Sequence, residues 1–204
     1  SNNILFIMKT ELQNLSLLLV FTFICFWSNA TLLLKENFNH PATTAIETLS
    51  TWDAMDFHYS MGTGNTKGAF PILVENGALS YAGYPDSGIG NKIKLDAMPG
   101  EDLYRIFPRI DAPSTTNQTS TAYASFLVNI SSATTAGDWF FHLSSNPVLK
   151  SIFHGRVSVK KNASNKLAFG IYRVQGSKLV WTDFNYDLNT TYLIVLKYDF
   201  VSIG

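Results

Sequence analysis

Four glutamates follow residue 30 of the chain: Glu36, Glu47, Glu75 and Glu101. A sandwich enzyme that cleaves polysaccharides needs two carboxylates on one strand face, spaced as in E-x-D-x-x-E, so that an acid and a nucleophile flank the scissile bond. Two positions beyond each glutamate stand Phe38, Leu49, Gly77 and Leu103, so that motif is absent. Glu101 and Asp102 are adjacent and would point to opposite faces of a strand; "PGED" reads as a turn into a strand from Leu103. The histidines, His40, His58, His142 and His154, show neither H-x-H nor H-E-x-x-H spacing, which leaves a zinc site unsupported. Asp56, His58 and Ser60 could share a strand face, but no nucleophile elbow surrounds them and ordinary surface polarity explains the trio.

The stretch "GALSYAGYPDSGIGN", Gly77 to Asn91, raises the question of a phosphate cradle. A P-loop places Lys and Ser/Thr directly after its last glycine, to meet the phosphates and magnesium. Gly83 and Gly88 have the spacing, but Ile89 and Gly90 follow. A dinucleotide fingerprint begun at Gly88 and Gly90 would need a glycine where Ile93 stands. The glycines are therefore expected to supply positive φ in tight turns between strands. No cofactor is expected.

One constellation remains, and it points to binding. If Phe153, Val157 and Val159 face a core, His154 and Arg156 face away from it, as would His142 beside core-facing Phe141, Tyr172 beside Ile171, and Trp181 between Val180 and Thr182. A sheet face that presents aromatic rings among polar donors suits a sugar, through ring stacking and hydrogen bonds. The competing reading is that these five residues are scattered over the surface or partly buried, since sequence does not order the strands.

These residues sit on elements whose signal has period two, as expected of strands with one buried face. "TAYASFLVNI" sets Ala122, Ala124, Phe126, Val128 and Ile130 on one side, and "SIFHGRVSVKK" sets Phe153, Gly155, Val157 and Val159 against His154, Arg156, Ser158 and Lys160. "TTYLIVLKYDFV" is apolar on both faces, which predicts a more central strand. Further strands are expected over 32–38, 78–81, 92–95, 103–107, 138–143, 167–174 and 179–186, with at most one helical turn in "ATTAIETLSTW". Many short strands separated by Gly, Asn and Pro turns predict an all-β, antiparallel two-sheet sandwich or barrel.

Fifteen basic and fifteen acidic side chains leave no net charge, so no field steers the protein toward nucleic acid or an anionic membrane. Residues 8–30 read as a signal peptide: a thin basic start at Lys9, an apolar run from Leu15 to Trp27, and a small-x-small site at Ser28 and Ala30. Cleavage after Ala30 is expected, with an uncleaved anchor as the alternative. Residues 1–7 would then be upstream or vector-derived sequence outside the fold. The single cysteine, Cys25, would leave with the signal, so disulfides and a thiol nucleophile are excluded from the mature chain. Four N-x-[ST] sequons follow, at Asn117, Asn129, Asn162 and Asn189.

The set "LLLKENFNHPATTAI", "GALSYAGYPDSGIGN", "GEDLYRIF", "TAYASFLVNISSATTAGDWFFHL", "FHGRVSVKK" and "NTTYLIVLKYDFV" resembles the concanavalin A-like (laminin-G-like) jelly-roll domain of secreted surface proteins of Bacteroidota and relatives. The resemblance covers about Leu32 to Val201. It implies a jelly-roll sandwich over 31–204 that continues beyond Gly204, export to the medium or outer surface, and often a C-terminal sorting domain read by type IX secretion machinery. It also implies a binding or adhesive role toward a polysaccharide or surface glycan, with no catalytic residue to carry over. The chain departs from the pattern between Trp52 and Val74, where "TKGAF" looks inserted. The rival readings are a fragment of a glycan-active hydrolase or lyase of the same fold, with carboxylates supplied from beyond Gly204 or by Asp138 and Asp183 converging, and a structural spacer without ligand.

Overall fold

The computed structural model describes residues 4–8, 31–54, 70–96, 102–108, 119–144, 153–174 and 177–201. The signal segment from residue 9 to 30, the Asp56–His58–Ser60 trio, most of the "TKGAF" stretch, Glu101 and Asn117 lie outside the described residues.

The fold is all-β. In chain order the strands are β1 (Ile4–Met8), β2 (Asp53–Ala54), β3 (Val74–Glu75), β4 (Lys92–Ile93), β5 (Leu103–Tyr104), β6 (Thr119–Asn129), β7 (Asp138–Ser144), β8 (Phe153–Lys161), β9 (Lys166–Val174), β10 (Val180–Trp181), β11 (Tyr186–Asp187) and β12 (Thr191–Val201). All pairings among them are antiparallel. One sheet runs β1-β12-β6; the other runs β10-β9-β8-β7, with β11 also on β9. Two small ladders, β2-β5 and β3-β4, belong to the N-terminal part.

The two larger sheets pack face to face. The core joins Val157, Val159, Leu167 and Phe169 of one sheet to Tyr192 and Ile194 of the other, with Phe126, Val128, Phe140 and Phe141 against them. Period two drives this: on β12 Tyr192, Ile194, Leu196 and Tyr198 are buried on one face, and they pair with Val128, Phe126, Ala124 and Ala122 of β6. Burying such side chains stabilises by about 1.5–3 kcal/mol each. Tyr192 is fully buried, so its hydroxyl needs partners; it accepts from the Asp187 amide at 2.6 Å and donates to the Asp187 carbonyl at 3.3 Å.

β12 is central, as its two apolar faces predict: β6 flanks it on one side and β1 on the other. Ile4–Met8, which spans the residues expected to lie upstream (1–7) and the first residue of the expected signal peptide, lies along β12 from Leu193 to Lys197. An apolar pentapeptide supplies backbone partners to an edge that would otherwise be open.

Other expectations change more. Residues 32–38 and 78–81 carry no ladder. The first ends where the Phe38 amide donates to Glu36 Oε1 at 2.7 Å and Phe38 takes φ 50°, a local turn that competes with a strand. Glu36 Oε2 also accepts from Trp52 Nε1 at 3.1 Å and from Arg105 Nη1. That carboxylate is a clamp between three N-terminal segments. The helical turn expected before Trp52 is a single 3-10 turn, Ile46–Thr48.

The Gly77–Asn91 stretch connects β3 to β4 as a closed loop. Asn91 ties it shut: its Oδ1 accepts from the Gly77 amide at 3.0 Å, its Nδ2 donates to the His40 carbonyl at 2.9 Å, and its amide donates to Asn37 O at 3.0 Å. Gly77, Gly83, Gly88 and Gly90 all have positive φ. The turn role expected of them is the one they have.

Candidate functional site

The outer face of the β10-β9-β8-β7 sheet carries a row in direct register. Trp139 of β7 stands opposite Ser158 of β8, Ser158 opposite Gly170 of β9, and Gly170 opposite Trp181 of β10. Two indoles thus flank two of the smallest side chains. At about 4.8 Å per strand the tryptophan backbones are roughly 14 Å apart. The trough between them has a volume of about 260 Å³, and Asp138, Arg156, Tyr172 and Leu179 complete its walls.

The indole of Trp181 is laid down on Gly170. A Cβ at position 170 would come within 2.8 Å of Cε3 and 2.9 Å of Cζ3, so only glycine lets the ring rest on the strand backbone. At the far edge of the ring Gly137 leaves the same kind of space. The Lys160 ammonium stands 4.3 Å from the ring centroid, a cation–π contact.

Arg156 occupies the other end. Its guanidinium carbon is 4.6 Å from the Trp139 ring centroid, 4.7 Å from Phe153 and 6.0 Å from Tyr172. Trp139 and Phe153 are stacked at 5.9 Å, and His142 meets both edge-on, at 5.1 and 4.4 Å. The Arg156 Nε atom is buried without a hydrogen-bond partner among the described residues.

Of the five residues expected on this face, Arg156, Tyr172 and Trp181 line the trough. His142 is on the same face but stands behind Arg156, as packing for Trp139 and Phe153. His154 is not there. It faces the opposite sheet, where its Nδ1 shares a 2.8 Å hydrogen bond with the hydroxyl of Tyr198 on β12.

Two bulges explain this. Between Trp139 and Phe141 the register gives β7 one extra residue, Phe140, and between Phe141 and Leu143 it gives β8 one extra residue. Phe140 and Phe141 therefore both pack on Phe126, which turns Trp139 and His142 to the same outer face. On β8 the extra residue falls at Gly155, φ 54°. Strict alternation breaks there, so Phe153 joins Arg156 outside while His154 turns inward. Alternation through Phe141 would have put Trp139 in the core, which is why sequence reasoning missed it. The missed Ser158 and Gly170 had a signal, small residues at adjacent register positions, but only a known strand order exposes it.

Burial, and then the positive charge of Arg156, lowers the His142 pKa from 6.5 to about 4; burial also lowers that of His154. Both rings favour the neutral form in the folded chain. A histidine whose folded pKa is depressed binds its proton first in the unfolded chain, so stability falls as pH drops below the unfolded value toward the folded one. His142 alone should cost roughly 2.5 kcal/mol between pH 7.5 and 4.5. Urea midpoints at pH 7.5 and 4.5 check this: His142→Phe should shrink the difference, and an unchanged difference would refute it.

Among the described residues no cluster of three His, Cys, Asp or Glu is placed to hold a metal ion. Of the acids raised as a catalytic pair, Asp138 lines the trough, with Oδ1 accepting from the Trp139 amide at 2.8 Å, and Asp183 lies beyond β10. The trough thus offers indole and phenol rings, a guanidinium and a serine hydroxyl, with the Lys160 ammonium beside it over Trp181. That set can stack on the C–H face of a ring and donate to its oxygens. No family model matches the chain, and no curated protein or solved structure does either.

Proposed function

We propose that the chain is a non-catalytic glycan-binding module of a secreted or cell-surface protein, built on a concanavalin A-like jelly roll. The observation that carries this reading is the row Trp139–Ser158–Gly170–Trp181. Two indoles around a floor of small residues leave a slot for a saccharide ring, with Arg156 and Ser158 beside it to meet hydroxyl groups. The resemblance to exported Bacteroidota surface proteins supports the same role, since an adhesive module meets polysaccharides outside the cell. Among the described residues the trough's lining holds one acid, Asp138, where glycoside hydrolysis uses a flanking pair, which favours binding over cleavage.

Affinity electrophoresis of the full chain in gels containing plant and bacterial polysaccharides tests the proposal. At least one polymer should retard the protein, and Trp181→Ala should weaken that interaction roughly tenfold, about 1.4 kcal/mol, while the circular dichroism melt stays cooperative. Equal retardation of Trp181→Ala, or no retardation by any polymer, would overturn the reading. Release of reducing ends from the retarding polymer would favour the hydrolase instead.

A further inference from the structure

Two cations of one strand flank Ser158: Arg156 lines the trough, and Lys160 stands just outside its lining, over the Trp181 ring. Arg156 lies two residues before Ser158 on β8 and Lys160 two residues after it. At about 3.4 Å per residue the two backbone positions are roughly 14 Å apart along the trough. Among the described residues neither cation takes part in an ion pair. Lys160 instead stands over Trp181 and Phe184, and Arg156 leans on Trp139 and Phe153.

Resting on the glycan-binding reading above, we infer that this site takes an acidic polysaccharide, with uronate carboxylates bound by Arg156 and Lys160. The Arg156 guanidinium in the trough wall is one ground for it: its Nε is buried without an acceptor among the described residues, a costly state that turning the side chain toward a carboxylate in the trough relieves. Guanidinium geometry is a second, since its fork matches a carboxylate with two parallel hydrogen bonds. Partial burial pulls the Arg156 pKa below the ordinary arginine value, against the opposing charges of Tyr172, Asp102 and Asp138. Lys160 gives a third ground. A neutral sugar stacking on Trp181 would displace the ammonium and return nothing to it, whereas an acidic sugar can stack and keep it as a partner. Two acids act on Arg156 from within the chain, Asp102 and Asp138; Asp138 lies in the wall, and one of its carboxylate oxygens is turned back onto the Trp139 amide. Because a polyuronate bears a carboxylate on every ring, a single chain lying along β8 can meet both cations.

The experiment uses the full chain with polygalacturonate and with the same polymer after reduction of its carboxyl groups to alcohols. Polygalacturonate should bind at least tenfold more tightly than the reduced polymer, and raising salt from 50 to 500 mM should erase the difference. Arg156→Gln should weaken polygalacturonate binding about tenfold and Lys160→Gln severalfold, in each case by a larger factor than for the reduced polymer. Equal affinity for the two polymers would overturn the charge inference while leaving glycan binding intact. Indifference of polygalacturonate binding to both substitutions would do the same. Binding to neither of these polymers, nor to any other, would overturn the glycan reading and this inference with it.

Discussion

Gly90→Ala should be among the most damaging single substitutions in this chain, and Gly83→Ala, a few residues away in the same loop, should be mild. The two glycines have nearly equal backbone conformations, φ 81° and 79°. Forcing an L-residue into that left-handed region costs about 1–2 kcal/mol, and this cost is common to both. Their surroundings differ. Around Gly83 an added Cβ meets nothing within 4 Å, whereas at Gly90 it would lie 2.0 Å from the carbonyl oxygen of Asn37 and 3.0 Å from its carbonyl carbon. Those are backbone atoms, and the same oxygen accepts the Asn91 amide at 3.0 Å. To admit the methyl group, the segment around Asn37 must move away and that bond must break. Overpacking of this kind adds about 1–3 kcal/mol or more, and the lost hydrogen bond about 1 kcal/mol. The sum for Gly90→Ala is roughly 4 kcal/mol or more, a large part of the ~5–15 kcal/mol available to a domain. At about 2–4 °C per kcal/mol for a chain of this size, thermal melts should show a fall of roughly 10 °C for Gly90→Ala and only about 3 °C for Gly83→Ala. Equal shifts would mean that the contact with Asn37 does not hold this loop.

That loop shows which part of the molecule its sequence announces. Position-by-position comparison removes the nucleotide reading, because the lysine, the hydroxyl and the third glycine are missing, and the positive φ values follow from glycine itself. The long strands are equally readable: β6 alternates along its length, β8 does so from Arg156 onward, and β12 declares its central place by being apolar on both faces. The N-terminal part is less legible. Residues 32–38 look like a strand, yet Leu32 is 75 % exposed and Leu34 37 %, because Glu36 draws the Phe38 amide, Trp52 and Arg105 to itself. A carboxylate that organises three segments by hydrogen bonds leaves no periodic trace. Leu179 to Tyr186 divides into β10 and β11 for a similar reason: Thr182 bonds the Phe169 amide through Oγ1 at 3.0 Å and interrupts the ladder.

The site is half legible. Arg156, Tyr172 and Trp181 fall where alternation puts them, and Trp139 and His154 do not. Both departures come from single extra residues in paired strands, and a bulge leaves no signal in hydrophobic pattern except the glycine that permits one of them. The site's second indole therefore owes its position to local backbone geometry, not to side-chain polarity.

Gly155→Val tests that statement directly. Gly155 has φ 54°, and a Cβ there would come 2.9 Å from Cδ2 of Leu196. Leu196 is fully buried on β12, so it has little room to move aside. A β-branched residue in this conformation costs about 1–2 kcal/mol or more, and crowding a packed core costs a further 1–3 kcal/mol, approximately. The chain can relieve both by straightening β8, but then alternation resumes. Phe153 would turn toward the core and His154 outward, which breaks the 2.8 Å bond to Tyr198 and removes Phe153 from beneath Arg156. Gly155→Val should therefore lower the melting temperature by roughly 10 °C and, at temperatures where it remains folded, shift the tryptophan emission as Trp139 loses its stacked partner. Binding to the polymer that retards the wild-type chain should weaken with it. A variant with the wild-type melt, emission and binding would show that the bulge does not set the two faces of β8.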